Sequence, residues 1–396
     1  MRLSSRVVGL RESATLKINA IVNRLKQEGK PIYNLTAGEP DSPPPEAAKQ
    51  AVIDAVRKNL SRYTPTPGLP ELREAVAAHT NRRQPSVSTP WTAQEVVVSN
   101  GGKQAIFNSI FALVDSGDEV LFPAPFWLSY PEMVHAAGGT PISLPTSASQ
   151  GYRLDPGTLE AAITPKTRLL LINSPSNPTG ALYTREELRD LGKVLERHPD
   201  VWILSDEIYD RIEFEKGTWC SFLEANPGLR DRTVTVNGLS KSGSMTGWRI
   251  GWTVAPIELT RALIALQGHS TSGICSLSQY AALAALSLPE AEFESQRLQY
   301  LHRRNLALEV LGKSEKIEVC VPRGAFYLFI DCKRALGQNQ DANGFAERLL
   351  QDAQVAVVSG VDFGAPTCIR LSFAVDEKTL VEACQRIVDY LDTLPA

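Results

Sequence analysis

Val201-Trp202-Ile203-Leu204 runs straight into Ser205-Asp206-Glu207-Ile208-Tyr209. Four successive apolar residues without polar alternation predict a strand buried on both faces. The carboxylate at its end then sits where water solvates it poorly, a costly position unless a cation or hydrogen bonds compensate. Nearly continuous apolar runs recur outward at Glu95-Val96-Val97-Val98, Glu119-Val120-Leu121-Phe122, Leu169-Leu170-Leu171-Ile172 and Thr233-Val234-Thr235-Val236. Amphipathic helical stretches separate these runs from about residue 45 to 285, which predicts an α/β fold with a mostly parallel sheet covered on both sides. Beyond it, a long charged helix from Glu290 to about Leu311 leads to shorter runs at Ile317–Cys320, Ala325–Ile330, Val355–Val358 and Ile369–Phe373. These predict a smaller α+β domain. A single core stops growing at roughly 250–300 residues. The 396 residues therefore divide into a segment 1–40 packing with the small domain, a large domain 41–285 and a small domain 286–396.

Composition narrows the function. Lys and Arg number 41 against 44 Asp and Glu, a net charge of −3, and no basic block stands out. A nucleic-acid footprint or an anionic-membrane surface is not expected, so the expected partners are small molecules. No run of about 18 apolar residues offers a membrane span, and the opening MRLSSRVVGLRES lacks a continuous apolar stretch. A cytoplasmic location is the expectation. The six cysteines are scattered without a CxxC or Cys/His cluster, so neither a metal site nor a disulfide framework is expected, and they read as small buried apolar residues.

In open α/β sheets ligands bind beyond the carboxyl ends of the strands. Four such ends are unusually polar here. Val98 is followed by Ser99-Asn100-Gly101-Gly102-Lys103-Gln104 and a helical pattern, which presents bare N–H groups suited to a phosphate. The Walker spacing is not met. Ile172 is followed by Asn173-Ser174-Pro175-Ser176-Asn177-Pro178-Thr179-Gly180, and Leu204 by Asp206 and Tyr209. Val236 leads into a loop that sets Lys241 among small residues, with Arg249 farther along. A lysine so placed can act as nucleophile and base. Singly, an Asp after a strand is more often a helix cap and a loop lysine more often solvated. Jointly the four ends describe a pocket for a phosphorylated, cationic, lysine-reactive ligand, and pyridoxal phosphate has those features.

The stretches FPAPFWLSY at 122–130, NSPSNPTG at 173–180, SDEIYD at 205–210, SKSGSMTGWRIG at 240–251 and Arg370 within CIRLSFA resemble class I aminotransferases of pyridoxal-phosphate fold type I. The resemblance runs in order from Ala37-Gly38-Glu39-Pro40 to the last helix, and SNGGKQA at 99–105 with NGLSK at 237–241 is most similar to the prokaryotic aspartate branch, which includes prephenate-using enzymes. It implies a seven-stranded large-domain sheet and a homodimer with shared active sites. By the same resemblance Lys241 is the Schiff-base lysine and proton shuttle, Asp206 faces the pyridine nitrogen, and Tyr209 and Asn177 meet the ring 3-oxygen. Trp127 stacks on the ring, while Gly101, Gly102, Lys103, Ser240 and Arg249 surround the phosphate. Arg370, helped by Asn177 and the Gly38 backbone, clamps the substrate α-carboxylate. Tyr63 reaches the neighbouring subunit's phosphate, and Lys103 and Thr15 recognise a distal carboxylate. One departure is Gly238, where many members have serine, and Glu12 before Ser13 is a lesser one. The implied reaction is transfer of the amino group of aspartate to 2-oxoglutarate, with aspartate–prephenate transamination as the alternative. Another class I aminotransferase or a β-lyase would use the same central residues.

Overall fold

The computed structural model describes residues 3–11, 14–337 and 341–395. Among them the strands, in chain order, are β1 (Tyr33–Asn34), β2 (Val96–Asn100), β3 (Glu119–Ala124), β4 (Thr140–Pro145), β5 (Thr167–Asn173), β6 (Trp202–Asp206) and β7 (Thr233–Gly238). They continue with β8 (Ile250–Val254), β9 (Glu318–Cys320), β10 (Tyr327–Asp331), β11 (Val355–Ala356), β12 (Val358–Ser359) and β13 (Cys368–Ser372). A seven-stranded sheet has the order β2-β8-β7-β6-β5-β3-β4, and a four-stranded antiparallel sheet the order β12-β13-β10-β9. β1 pairs in parallel with β11.

The expected apolar runs are buried on both faces for a reason visible along single strands. In β5, Leu170 and Ile172 enter one core with the helices Pro70–Arg83, Arg185–Glu196 and Ser276–Leu286, while Leu169 and Leu171 enter another with Gly102–Leu113 and Ile257–Gly268. Alternate residues of one strand thus serve opposite layers. A further core joins β10 and β13 to the helices Ala291–Leu311, Ala342–Asp352 and Glu377–Thr393, and it takes in Tyr209, Ile212 and Phe214 from the turn after β6.

Some expectations change. Val355–Val358 is not one strand: β11 and β12 join different sheets, with Val357 between them. β4 escapes a reading by apolar runs because two prolines interrupt it, a composition tolerated at the sheet edge it occupies. Cys220, Cys332, Cys368 and Cys384 are buried as expected, whereas Cys320 is half-buried and Cys275, at the start of the helix Ser276–Leu286, is exposed.

β8 is the exception that places the site. It lies antiparallel between β2 and β7, so the chain between β7 and β8, residues 239–249, turns back at the carboxyl end of β7 instead of crossing the sheet. β8 fits there because Gly251 has no side chain: a Cβ would lie 2.3 Å from the Gly102 nitrogen and 2.5 Å from the Gly101 carbonyl carbon, both backbone. The Gly238 departure has the same cause, since Gly238 pairs with Gly251 and a Cβ would lie 2.8 Å from the Ile250 oxygen. Gly251→Ala should therefore destabilise the fold by about 1–3 kcal/mol in denaturant unfolding. Gly247→Ala, where a Cβ meets nothing within 4 Å, should stay within about 0.5 kcal/mol of the parent.

Candidate active site

The carboxyl ends of β2, β5, β6 and β7 point the same way, and beyond them lies a cavity of about 450 Å³. It is lined by Gly38, Gly102, Lys103, Trp127, Asn177, Asp206, Tyr209, Ser240, Lys241, Arg249 and Arg370. Residues more than 300 positions apart in the chain thus meet in one place.

Asp206 ends β6 with 4% of its surface exposed. Its Oδ2 accepts from the Tyr130 hydroxyl at 2.7 Å and its Oδ1 from the Ile208 N–H at 3.3 Å. Burial pushes its carboxyl up to about 6, opposed by the Tyr130 hydrogen bond and the charge of Lys241. Lys241 is half-buried, and its Nζ donates to the Gly38 carbonyl. Burial first, and then the charge of Arg370, bring its ammonium down to about 8 against the pull of Glu39 and Asp206. A free amine near neutral pH is the form that attacks a carbonyl.

One corner of the cavity is cationic. Gly101 has φ +83° and leads into the helix Gly102–Leu113, whose first N–H groups are free for an anion. Arg249, itself at φ +54°, donates from Nη1 to the Thr246 carbonyl at 2.8 Å and from Nη2 to the Asn100 carbonyl at 3.2 Å. A Cβ at position 101 would lie 2.8 Å from that Nη2, so glycine keeps the corner open. The Lys103 ammonium lies 4.9 Å from the Trp127 ring centroid, and burial and Arg249 lower its pKa. No carboxylate pairs with Arg249 or Lys103 among the described residues.

The cavity lining also includes Arg370, in the middle of β13 and only 2% exposed. Its Nη1 donates to Asn177 Oδ1 and its Nη2 to the Thr36 carbonyl, each at 2.9 Å, while Nε has no partner. The rings of Tyr327 and Phe363 lie 4.4 and 5.2 Å from the guanidinium carbon. Among the described residues no carboxylate pairs with it, and a buried, unpaired guanidinium calls for an anionic ligand. Asn177 is held in turn by Asn173, whose Oδ1 accepts from the Asn177 N–H at 2.8 Å and whose Nδ2 donates to the Asp206 carbonyl at 2.9 Å.

Tyr63 is fully exposed and outside the cavity lining. Thr15 falls in the helix Ala14–Gln27, and its side chain lies outside the described residues, as do Glu12 and Ser13. Tyr130, Asn173 and Tyr327 were not anticipated. Tyr130 and Asn173 lie within the quoted stretches 122–130 and 173–180, but nothing local marks either as a partner of Asp206. Tyr327, whose hydroxyl is 2.9 Å from that of Tyr209, reads as core within the apolar run 325–330. Asn19 also lines the cavity, so the N-terminal helix reaches the site.

The pocket offers an anion corner, a buried carboxylate for a protonated ring nitrogen, a reactive amine and a second anion seat. Pyridoxal phosphate with an amino-acid substrate fits that set, and the glycine-lined cradle at 101 and 102 leaves room for its phosphate. The model of the family described as aminotransferase class I and II matches residues 30–387. An aspartate/prephenate aminotransferase of Cereibacter sphaeroides is 41% identical over 97% of this chain and 97% of its own. The crystal structure of the aspartate aminotransferase of Rhizobium meliloti superposes with a TM-score of 0.95 at 40% identity, covering 100% of both chains. That of Thermus thermophilus with maleate gives 0.92 at 40% identity over 98% of this chain and 100% of the other. With the family match spanning residues 30–387 and such relatives alike over nearly their full length, the chain belongs to the class I and II aminotransferases.

Proposed function

We propose that this chain moves the amino group of aspartate to 2-oxoglutarate, giving oxaloacetate and glutamate. One observation carries the reading: a half-buried amine, Lys241, shares a cavity with cations that have no carboxylate partner among the described residues, Arg370 and the Arg249–Lys103 corner. A dicarboxylic amino acid supplies one carboxylate for Arg370 and a second for Lys103. The relatives named above are aspartate or aspartate/prephenate aminotransferases, and one neighbour carries maleate, a dicarboxylate. Prephenate, also a dicarboxylate, is the second acceptor to consider, favoured by the name of the Cereibacter sphaeroides relative.

When bound, pyridoxal phosphate supplies an aldehyde for covalent attachment of an amine and a protonated ring that accepts the electrons left by a departing Cα proton. The side chains do the rest. Lys241 would hold the cofactor through its amine, and the same amine would take and return the substrate Cα proton. Asp206, steadied by Tyr130, holds a proton at the pyridine nitrogen. Tyr209 and Asn177 donate to the ring 3-oxygen, and Trp127 covers a ring face. Gly101, Gly102, Ser240 and Arg249 bind the phosphate. Arg370, with Asn177 and the Gly38 backbone, clamps the α-carboxylate as a two-pronged donor. Lys103 and Thr15 receive the distal carboxylate.

The same reading includes a cytoplasmic homodimer built from the segment 1–40, a large domain 41–285 and a small domain 286–396. Fully exposed Tyr63 follows exposed Ile53, Val56 and Leu60 in the chain, apolar side chains that a second copy would cover while Tyr63 reached its phosphate site. Among the described residues no helix is long and apolar enough to cross a membrane.

Aspartate added without a keto acid should convert the visible absorbance of the bound cofactor to that of the pyridoxamine form, and Lys241→Ala should abolish the conversion. Unchanged absorbance would refute the substrate. Because the folded protein favours the neutral amine of Lys241, capture of pyridoxal phosphate by the cofactor-free protein should quicken with pH and level above about 8, well below the ordinary lysine value of 10.5. Lys103→Ala should raise KM for aspartate by about tenfold, as loss of one charged hydrogen bond implies, and leave KM for an apolar amino acid nearly unchanged. Equal losses would assign Lys103 to the cofactor alone.

A further inference from the structure

Asp206 and Tyr209 line the cavity from the turn that leaves β6, whereas Glu207 and Asp210 of the same turn are buried away from it, each no more than 3% exposed. Neither has a part in the chemistry above. Glu207 accepts from the hydroxyls of Ser205 at 2.9 Å and Ser221 at 2.7 Å. Asp210 receives Arg83, whose Nη2 donates at 3.0 Å both to its Oδ2 and to its backbone carbonyl, with His79 Nε2 at 3.7 Å. Although burial opposes it, Arg83, His79 and Arg211 hold the Asp210 carboxyl well below the usual range, so it stays ionised. Next along, Arg211 forms a two-pronged pair with Glu290 at 2.8 and 3.0 Å.

Arg83, the last residue of the helix Pro70–Arg83, reaches a second turn as well. Its guanidinium lies over the Trp219 ring, 4.5 Å from the centroid, and the Trp219 indole N–H donates to the Ser174 carbonyl at 3.0 Å. Ser174 belongs to the stretch 173–180 that carries Asn177. One side chain therefore bears on both turns that present donors to the same region of the cavity, one through an ion pair and a carbonyl, the other through a stacked indole.

We propose that Arg83 is a positioning residue for the cofactor's 3-oxygen: clamped to Asp210 and stacked on Trp219, it keeps Tyr209 and Asn177 in register with each other. The inference rests on the roles given to those two residues in the proposed function. Donors to the 3-oxygen favour its ionised form, so their misplacement raises the pH midpoint at which the visible absorbance of the bound cofactor changes.

The test is that midpoint, measured on the protein loaded with pyridoxal phosphate, beside its melting temperature. Tyr209→Phe should raise it by about one unit, a tenfold change in the acid constant. Arg83→Gln should raise it by about half a unit, and by less than half as much in the Tyr209→Phe background. Arg83→Lys, which keeps the charge but loses the planar fork, should restore the midpoint only in part. If Arg83→Gln does not fold, Trp219→Phe keeps a ring beneath Arg83 but removes the indole N–H, and it should move the midpoint in the same direction. A lowered melting temperature with an unmoved midpoint in the Arg83 and Trp219 variants would show a merely structural role and overturn the inference while leaving the proposed function standing. An unmoved midpoint in Tyr209→Phe would refute the role of Tyr209 itself, and the inference with it.

Discussion

The backbone contact of Gly251 with Gly101 and Gly102 is the constraint on which the site depends. It lets β8 lie between β2 and β7 and reverses the chain after β7, so Lys241 stays above the sheet edge beside Asp206. It also brings Arg249, the residue before β8, over the start of the helix Gly102–Leu113 in a left-handed backbone conformation. A bulkier strand at this place would separate the anion corner from the amine. The glycines at 101, 238 and 251 are thus one packing solution rather than three independent turns.

A second theme is charge without internal compensation. Asp206, Lys241, Arg249 and Arg370 form no ion pairs among the described residues, although Asp206 and Arg370 are almost wholly buried. Elsewhere the same protein pairs buried carboxylates directly with arginines, as at Asp210 with Arg83 and at Glu95 with Arg230. The contrast marks the cavity as a place that its ligands complete. In the proposed function the phosphate, the protonated ring nitrogen and the substrate carboxylates would supply the missing partners, and each leftover charge would become binding energy when its partner arrived.

Rigidity behind the cavity matters as much as the groups that face it. Hydrogen bonds run from the Asp206 carbonyl through Asn173 to Asn177 and on to Arg370, joining β6 to β13 across the large and small sheets. The turn after β6 serves two masters: Asp206 and Tyr209 line the cavity, while Ile212 and Phe214 pack into the core of the four-stranded sheet. Geometry at the reacting atoms therefore depends on packing well outside the cavity.

Much of this was legible along the chain. Nearly continuous apolar runs announced β2, β3, β5, β6 and β7 because a strand buried on both faces has little polar face to show, and polar residues just past those runs announced the cavity. Lys241, Asp206, Asn177, Arg249 and Arg370 were readable since each stands in a local motif. The edge strand β4, the reversed strand β8 and the split of Val355–Val358 were not, because prolines, a glycine and a single residue of offset carry no periodic signal. Nor could the partners be read: that Tyr130 donates to Asp206, that Tyr327 meets Tyr209 and that Arg83 bears on two turns are contacts between residues 76, 118 and 127 or more positions apart. Local chemistry chose the residue types that the reaction needs. Only the folded chain decided which of them touch, since contacts across such separations exist only once the sheet order has closed.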